Sequence, residues 1–320
     1  MNAKNDFKLL VLFALCLAAV IWSIAKGSSP IGLPGLFAIE NRTILYIRAM
    51  RVTAALIVGS GLAVAGVALQ AILRNTLAEP YLLGSSGGAG LGAVASIALG
   101  LSVIYMPLSA FLGALLSVAL VYNLAGRGGR LSAHSLVLYG VIMSIAFSGV
   151  VIFIVSLSPL EALHGVLWWL WGSLEVYDAG LLMTAGALIV ISEAVVFIFS
   201  QDLNALSLGE EEAAHLGIDI ESVKKTIIIA TSLITACAIS ISGMIGFVGL
   251  VIPHIARLVV GPNHRILVPA SILIGGTFMV VCDTVSRSVF APVEVPIGVI
   301  TSLVGAPLFI YLFKRSEKAA

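Results

Sequence analysis

Charge is nearly absent from long stretches of this 320-residue chain, and where it occurs it marks the edges of apolar runs. Ten such windows stand out, near residues 7–26, 47–73, 82–101, 105–125, 134–157, 179–200, 223–243, 247–260, 266–286 and 296–314. Most of them approach the roughly 20 apolar residues that a helix needs to cross a bilayer core. Backbone groups in that core find no water, so only structures that satisfy their own hydrogen bonds survive there. Composition points the same way: 10% of the residues are charged and 60% hydrophobic, whereas a soluble domain carries about 25% charged residues. A soluble enzyme, a disulfide-stapled secreted scaffold and a disordered chain are excluded. The expected fold class is an all-α integral membrane protein of about ten transmembrane helices. It forms a single domain over 1–320, because the connections leave no room for a soluble one.

Local signals refine the windows. The eighth is short and contains Pro253, which predicts a broken or half-length helix. The stretch 160–171, with Trp168, Trp169 and Trp171, is too short and aromatic for a span and reads as an interfacial helix. Lys4 and Lys8 ahead of the apolar run 9–25 imitate a signal peptide, but the cleavage pattern is poor, so a retained first helix is expected. Cys16, Cys237 and Cys282 are isolated in apolar runs and read as small core residues. With ten spans, both termini share one side. Twelve of the seventeen basic residues, Lys318 among them, fall on that side, which the positive-inside bias makes cytoplasmic. Arg48, Arg51 and Arg287 fall at outer helix ends against the bias, either as snorkelling anchors or as a docking surface for an acidic partner.

Chemistry-bearing patterns are few. The run 84–93 contains a formal G-x-G-x-x-A match, but a dinucleotide site needs a strand and a βαβ context. Gly84, Gly88 and Gly92 recur every four residues and predict close helix packing. No phosphate-binding loop of the G-x-x-x-x-G-K-[ST] type occurs, so the chain does not hydrolyse ATP through one. His134, His164, His215, His254 and His264 lack metal-ligand spacing, and no nucleophile–base set stands out. A net charge of +1 offers nucleic acid no basic field. Glu193 lies in the sixth window, where a carboxylate is either functional or partly exposed near the cytoplasmic end.

The sixth and seventh helices are joined by a polar loop, 201–222. Within it, Leu208, Gly209, Glu210, Glu211, Glu212, Ala213, His215, Leu216 and Gly217 predict a short helix with its acidic residues at the favourable N-terminal turn. Ala213, Ala214 and Leu216 share one side. Such a helix is either a solvated surface element or one presented to a cytoplasmic partner.

Several ordered motifs resemble the FecCD-type permeases, the membrane subunits of type II ABC importers for ferric siderophores, haem and cobalamin. In the first half these are Arg48-Ala-Met-Arg51, Gly59-x-Gly61, Gly66, Gln70, Arg74-Asn75-Thr-Leu-Ala-Glu-Pro80 and Leu83-Gly84. In the second half they are Gly209-Glu-Glu-x-Ala-x-x-Leu-Gly217, Gly246 through Pro253-His254 to Arg257, His264-Arg265, Pro296-Ile-Gly298 and Gly305-Ala-Pro307. The resemblance runs from about 44 to 312. Two prolines of the family pattern are replaced, by Met50 and Thr76.

The resemblance implies an inverted repeat of helices 2–5 and 7–10 and a second permease subunit, expected to be identical. It also implies two cytoplasmic ATP-binding subunits, which carry the ATP and magnesium, and an extracytoplasmic substrate-binding protein, all assembled in a prokaryotic cytoplasmic membrane. Arg48, Arg51 and Arg287 then fall at the docking positions, and the loop 201–222 falls at the ATPase coupling position. The chain itself is expected to bind no cofactor or metal and to perform no covalent chemistry. Its cargo is expected to be a ferric siderophore, with cobalamin, haem and molybdate as alternatives. A secondary transporter driven by an ion gradient is the rival from another class, and Glu193 is its single foothold.

Overall fold

The structure, a computed structural model, describes residues 3–27, 29, 31–36, 38–127, 130–158, 160–176 and 178–317. Lys318, counted above, lies outside the described residues. In chain order the helices are α1 (Ala3–Ala25), α2 (Leu33–Leu36), α3 (Arg42–Ile72), α4 (Ser85–Ala98), α5 (Met106–Ala125), α6 (Ala133–Leu157) and α7 (Leu160–Leu170). They continue as α8 (Ala179–Ile198), α9 (Ser200–Leu208), α10 (Glu210–His215), α11 (Ile220–Ser242), α12 (Val248–Val260), α13 (His264–Ser288) and α14 (Ile297–Glu317). Ten of these match the ten windows, and α7 is the short Trp-rich helix. The expectation of pure helix needs one small amendment. Gly126–Arg127 and Arg130–Leu131 form a two-residue antiparallel pair between α5 and α6.

Among the described residues, seven helices are long and apolar enough to cross a membrane: α1, α3, α5, α6, α8, α11 and α13. Helices α4 and α12 are not, at 14 and 13 residues. At 1.5 Å per residue they reach about 20 Å, short of a core of about 30 Å. Each follows a break in the chain. A 3-10 turn at Pro80–Leu83 precedes α4, and an irregular stretch ending at Phe247 precedes α12. The predicted half-length eighth helix is present, and α4 is its counterpart in the first half.

The packing has the pattern of an inverted repeat. Helices α3 and α11 form the centre, with 83% and 78% of their apolar windows buried, against 11% for α1 and α6. Helix α3 packs on α13, and α11 packs on α5, so each half inserts its first helix against the third helix of the other. Lipid is as apolar as leucine, so close backbone approach must hold such helices together. Gly88 of α4 meets the Gly113 carbonyl of α5, and Gly92 meets the Ser109 carbonyl. Gly59 of α3 meets the Gly275 carbonyl of α13 in the same way. The glycine stripe predicted at 84, 88 and 92 is therefore a packing surface. Replacing Gly92 with valine drives side-chain carbon into backbone that cannot retreat without separating α4 from α5. A loss of about 3 kcal/mol or more is expected, measured as a lower unfolding midpoint in detergent, and an unchanged midpoint would mean the two helices are looser than described.

Candidate functional site

Two ends of the bundle carry polar side chains, here called the arginine end and the loop end. At the arginine end, α3 presents Arg48 and Arg51 and α13 presents Asp283 and Arg287. These side chains are buried, with Arg48 4%, Arg51 7%, Arg287 2% and Asp283 0% exposed. Arg51 donates through Nε and Nη2 to Asp283 Oδ1 at 3.2 and 2.9 Å, and through Nη1 to Glu294 at 2.8 Å and Glu175 at 3.3 Å. Arg287 Nε faces Asp283 Oδ2 at 3.1 Å, and its Nη2 donates to the Ser23 carbonyl and hydroxyl of α1 at 2.6 and 2.7 Å. Arg48 donates to the last carbonyls of α1, Ile24 at 2.8 Å and Ala25 at 3.3 Å. A cation at a helix C-terminus satisfies carbonyls that have no partner within the helix.

The three arginines expected at the outer helix ends are therefore buried in this chain. The three arginines are spent inside the molecule, and the groups that reach outward are Glu175 and Glu294, whose side chains are 36% and 23% exposed. Burying a cation without partners is costly, and nearby carboxylates remove that cost. Asp283 was missed in the sequence, although an Asp four residues before Arg287 inside an apolar window is itself a signal.

At the loop end, 201–222 is less a loop than an elbow of α9 and α10 that bends at Gly209. The Glu212 carboxylate folds over Gly209, in the space a Cβ would take. Lys224 is 3% exposed. Its ammonium donates to the Leu131 carbonyl at 3.0 Å and pairs with Glu210 at 2.8 Å, with Glu221 at 3.9 Å. Glu210 thereby ties α10 to α11. Ala213 is fully buried while Leu208, Glu211, Glu212, Ala214, His215, Leu216 and Gly217 are exposed, so of Ala213, Ala214 and Leu216 only Ala213 packs inward.

The remaining motif residues lie along the seam between the two halves. Gln70, near the end of α3, donates to the Ala78 and Gly249 carbonyls at 3.2 and 3.3 Å, and its Oε1 accepts from Arg257 at 2.7 Å. Pro80 packs against Gly249. The Tyr81 hydroxyl accepts from the Ile245 N–H at 3.1 Å and donates to the Ile245 carbonyl at 2.9 Å. Glu79 accepts from the N–H of Phe247 at 2.8 Å, which helps hold Phe247 in its left-handed conformation of φ 70°. Burial raises the Glu79 carboxyl above its ordinary range, opposed by that hydrogen bond, and burial likewise raises the Tyr81 phenol. Arg74, at φ 47°, and Asn75 close the end of α3, with the Arg74 N–H bonded to Ala71 O and the Asn75 N–H to Gln70 O. Pro253 is buried within α12, His254 is half-buried one residue on, and Pro296 introduces α14.

Glu193 is 7% exposed, so the reading of partial exposure near a helix end does not hold. It neighbours Ser60 of α3, and its Oε1 has no hydrogen-bond partner among the described residues. No cluster of three metal-binding side chains is present among the described residues.

Comparison with known proteins covers the chain almost end to end. The profile of the FecCD transport family matches residues 11–315. The chain is 40% identical to the cobalamin import system permease protein BtuC of Halobacterium salinarum, over 86% of this chain and 74% of that one. It is 36% identical to the molybdate import system permease protein MolB of Haemophilus influenzae, over 87% and 83%. A solved chain described as an inward-facing metal-chelate type ABC transporter superposes with a TM-score of 0.88 at 33% identity, covering 97% of this chain and 99% of that one.

Proposed function

As a member of the FecCD transport family, this chain is a multi-pass membrane permease of an ABC importer, and we propose that its cargo is a metal chelate of the ferric-siderophore and cobalamin class. Support for the cargo comes from the cobalamin permease at 40% identity and from the metal-chelate type transporter that shares its fold. Molybdate is the second reading, favoured by the relative from Haemophilus influenzae.

The proposed assembly is two copies of this chain, two cytoplasmic ATP-binding subunits carrying ATP and magnesium, and an extracytoplasmic binding protein. Helices α6 and α14 leave broad apolar faces uncovered, as a second copy or lipid requires. The loop end faces the cytoplasm, with both termini on that side, because Lys8, Arg74, Lys225, Arg257 and Arg265 gather there. The observation that carries the reading is the α9–α10 elbow, pinned by Glu210 to Lys224 yet presenting Leu208, Glu211 and Leu216 outward. A rigid element with an exposed apolar and acidic face transmits the movement of an ATPase into α11. At the other end, an acidic docking residue reaches Arg51 by taking the place of Glu294 or Glu175.

Purification of the tagged chain from its own membranes in mild detergent tests this directly. Co-purification of a P-loop ATPase is expected, and uptake in proteoliposomes should require ATP and the binding protein. A lone chain that transports under a proton gradient without ATP would sink the proposal and return attention to Glu193.

A further inference from the structure

We propose that the groove between α5 and α11 holds one anionic phospholipid of the leaflet at the loop end, with its phosphate on Lys225, Tyr122 and Asn123 and an acyl chain along the groove. The groove measures about 350 Å³, and both helices that wall it are long and apolar enough to cross a membrane. None of its lining residues belongs to the α9–α10 elbow, or to α6 and α14, whose uncovered apolar faces suit a second copy. Such a site depends on the membrane location of the chain and not on its cargo.

Polarity is graded along the groove. Lys225, Tyr122 and Asn123 stand toward the loop end, because α5 finishes at Ala125 and α11 begins at Ile220. Beyond them the walls are apolar, Ala119 and Ile229 first and then Leu233. The hydroxyl of Ser232 is turned back on the Ile228 carbonyl at 2.5 Å, so the deep part of the groove asks for no polar partner. Leu233 lies about 12 Å along α11 from Lys225 at 1.5 Å per residue, which stays within one leaflet of a hydrocarbon core about 30 Å thick. A phospholipid has the same order, charge first and chain after.

The charge at the mouth is open. Lys225 is exposed, and among the described residues no carboxylate lies within ion-pair distance of it. Glu221, one turn earlier on the same face of α11, is the natural counter-ion but is engaged elsewhere. Its Oε2 accepts from the Leu131 N–H at 3.0 Å, and its Oε1 faces Lys224 at 3.9 Å. Side chains of a helix lean toward its N-terminus, which for α11 is the loop end, so the Lys225 ammonium is carried to headgroup level. Asn123 gives one amide hydrogen to the Ala119 carbonyl at 2.8 Å and has a second to offer, as the Tyr122 hydroxyl has one. A lysine that merely snorkels needs neither a groove nor neighbouring donors. Three donors at the mouth of an apolar groove between spans match a phosphate with a chain attached. The lining holds no carboxylate for the ammonium of a zwitterionic headgroup.

The test uses the full chain in nanodiscs of phosphatidylglycerol and phosphatidylcholine with identical acyl chains, released into detergent and weighed by native mass spectrometry. One phosphatidylglycerol is expected to stay with each chain in preference to phosphatidylcholine. Lys225→Gln should weaken its retention about tenfold or more, as loss of a charge-assisted hydrogen bond does, and Tyr122→Phe several-fold. Ala119→Phe, at an exposed position, fills the groove while leaving all three donors in place, and should also release the lipid. Arg265→Gln removes an exposed charge at the same end but outside the groove, and should change nothing. Equal retention of the two lipids overturns the proposal, as does undiminished retention in both Lys225→Gln and Ala119→Phe. An equal loss in Arg265→Gln also overturns it, since the lipid then answers only to the general charge of that end. Displacement by glycerol phosphate, a headgroup without chains, overturns it in favour of a soluble anion.

Discussion

Asp283→Ala is expected to be the most damaging single substitution in the chain, costing about 3–5 kcal/mol of stability, the range for breaking a buried ion pair by removing one partner. Asp283 is fully buried between two guanidinium groups. Without it Arg287 keeps only the oxygens of Ser23, and Arg51 leans on Glu175 and Glu294. The unfolding midpoint in detergent measures the loss, and raising salt should not erase the difference, because buried pairs are little screened. Asp283→Asn should cost less, since an amide oxygen still accepts from Arg51. Removing the three charges of the triad together, as in Arg51→Met, Asp283→Leu and Arg287→Met, should recover most of the loss, because neither guanidinium is then left buried without its carboxylate. A drop under about 1 kcal/mol for the alanine variant would mean that water reaches the network. Charge reversal at Arg48 or Arg51 consequently tests folding before it tests docking.

Lys224→Met should leave the permease folded and cut ATP-driven uptake at least tenfold. The lysine is buried, but its partners Glu210 and Glu221 are 47% and 36% exposed, so water can solvate them once the ammonium is gone. The stability cost is accordingly moderate, about 1–3 kcal/mol, most of it from the Leu131 carbonyl left without its donor. What is lost is the tether that makes α10 move with α11. In proteoliposomes, hydrolysis by the ATP-binding subunits should continue while cargo uptake falls. Glu210→Gln should act in the same direction, whereas Glu211→Gln leaves the tether intact and alters only the exposed face. Normal coupled uptake by Lys224→Met would remove the elbow from the mechanism.

Much of this architecture is legible in one dimension. The ten helices follow from apolar length, the half-length α12 from Pro253 and its short window, and the α4–α5 contact from glycines four residues apart. Each of these is a local property, set by residues that are neighbours along the chain or on one helix face. The elbow was legible as a short acidic helix at the right place, but not its inward side, because a six-residue helix has too few turns for periodicity to decide which residue is buried.

The polar sites were not legible in the same way. Arg48 and Arg51 read as outward-facing because the positive-inside bias counts charges per loop and carries no information about depth. Their commitments are long-range: Arg51 bonds to residues 124, 232 and 243 positions away. Lys224 likewise takes its buried acceptor from the connection before α6, 93 residues earlier. The sequence by itself determined that this chain lives in a bilayer as about ten helices, since the cost of an unsatisfied backbone in hydrocarbon leaves no other outcome. Only the tertiary structure decided which charges face outward and which neutralise one another inside. A buried charge is tolerable only at a distance of about 3 Å from its partner, and that distance is set by how the two halves pack rather than by where either residue stands in the chain.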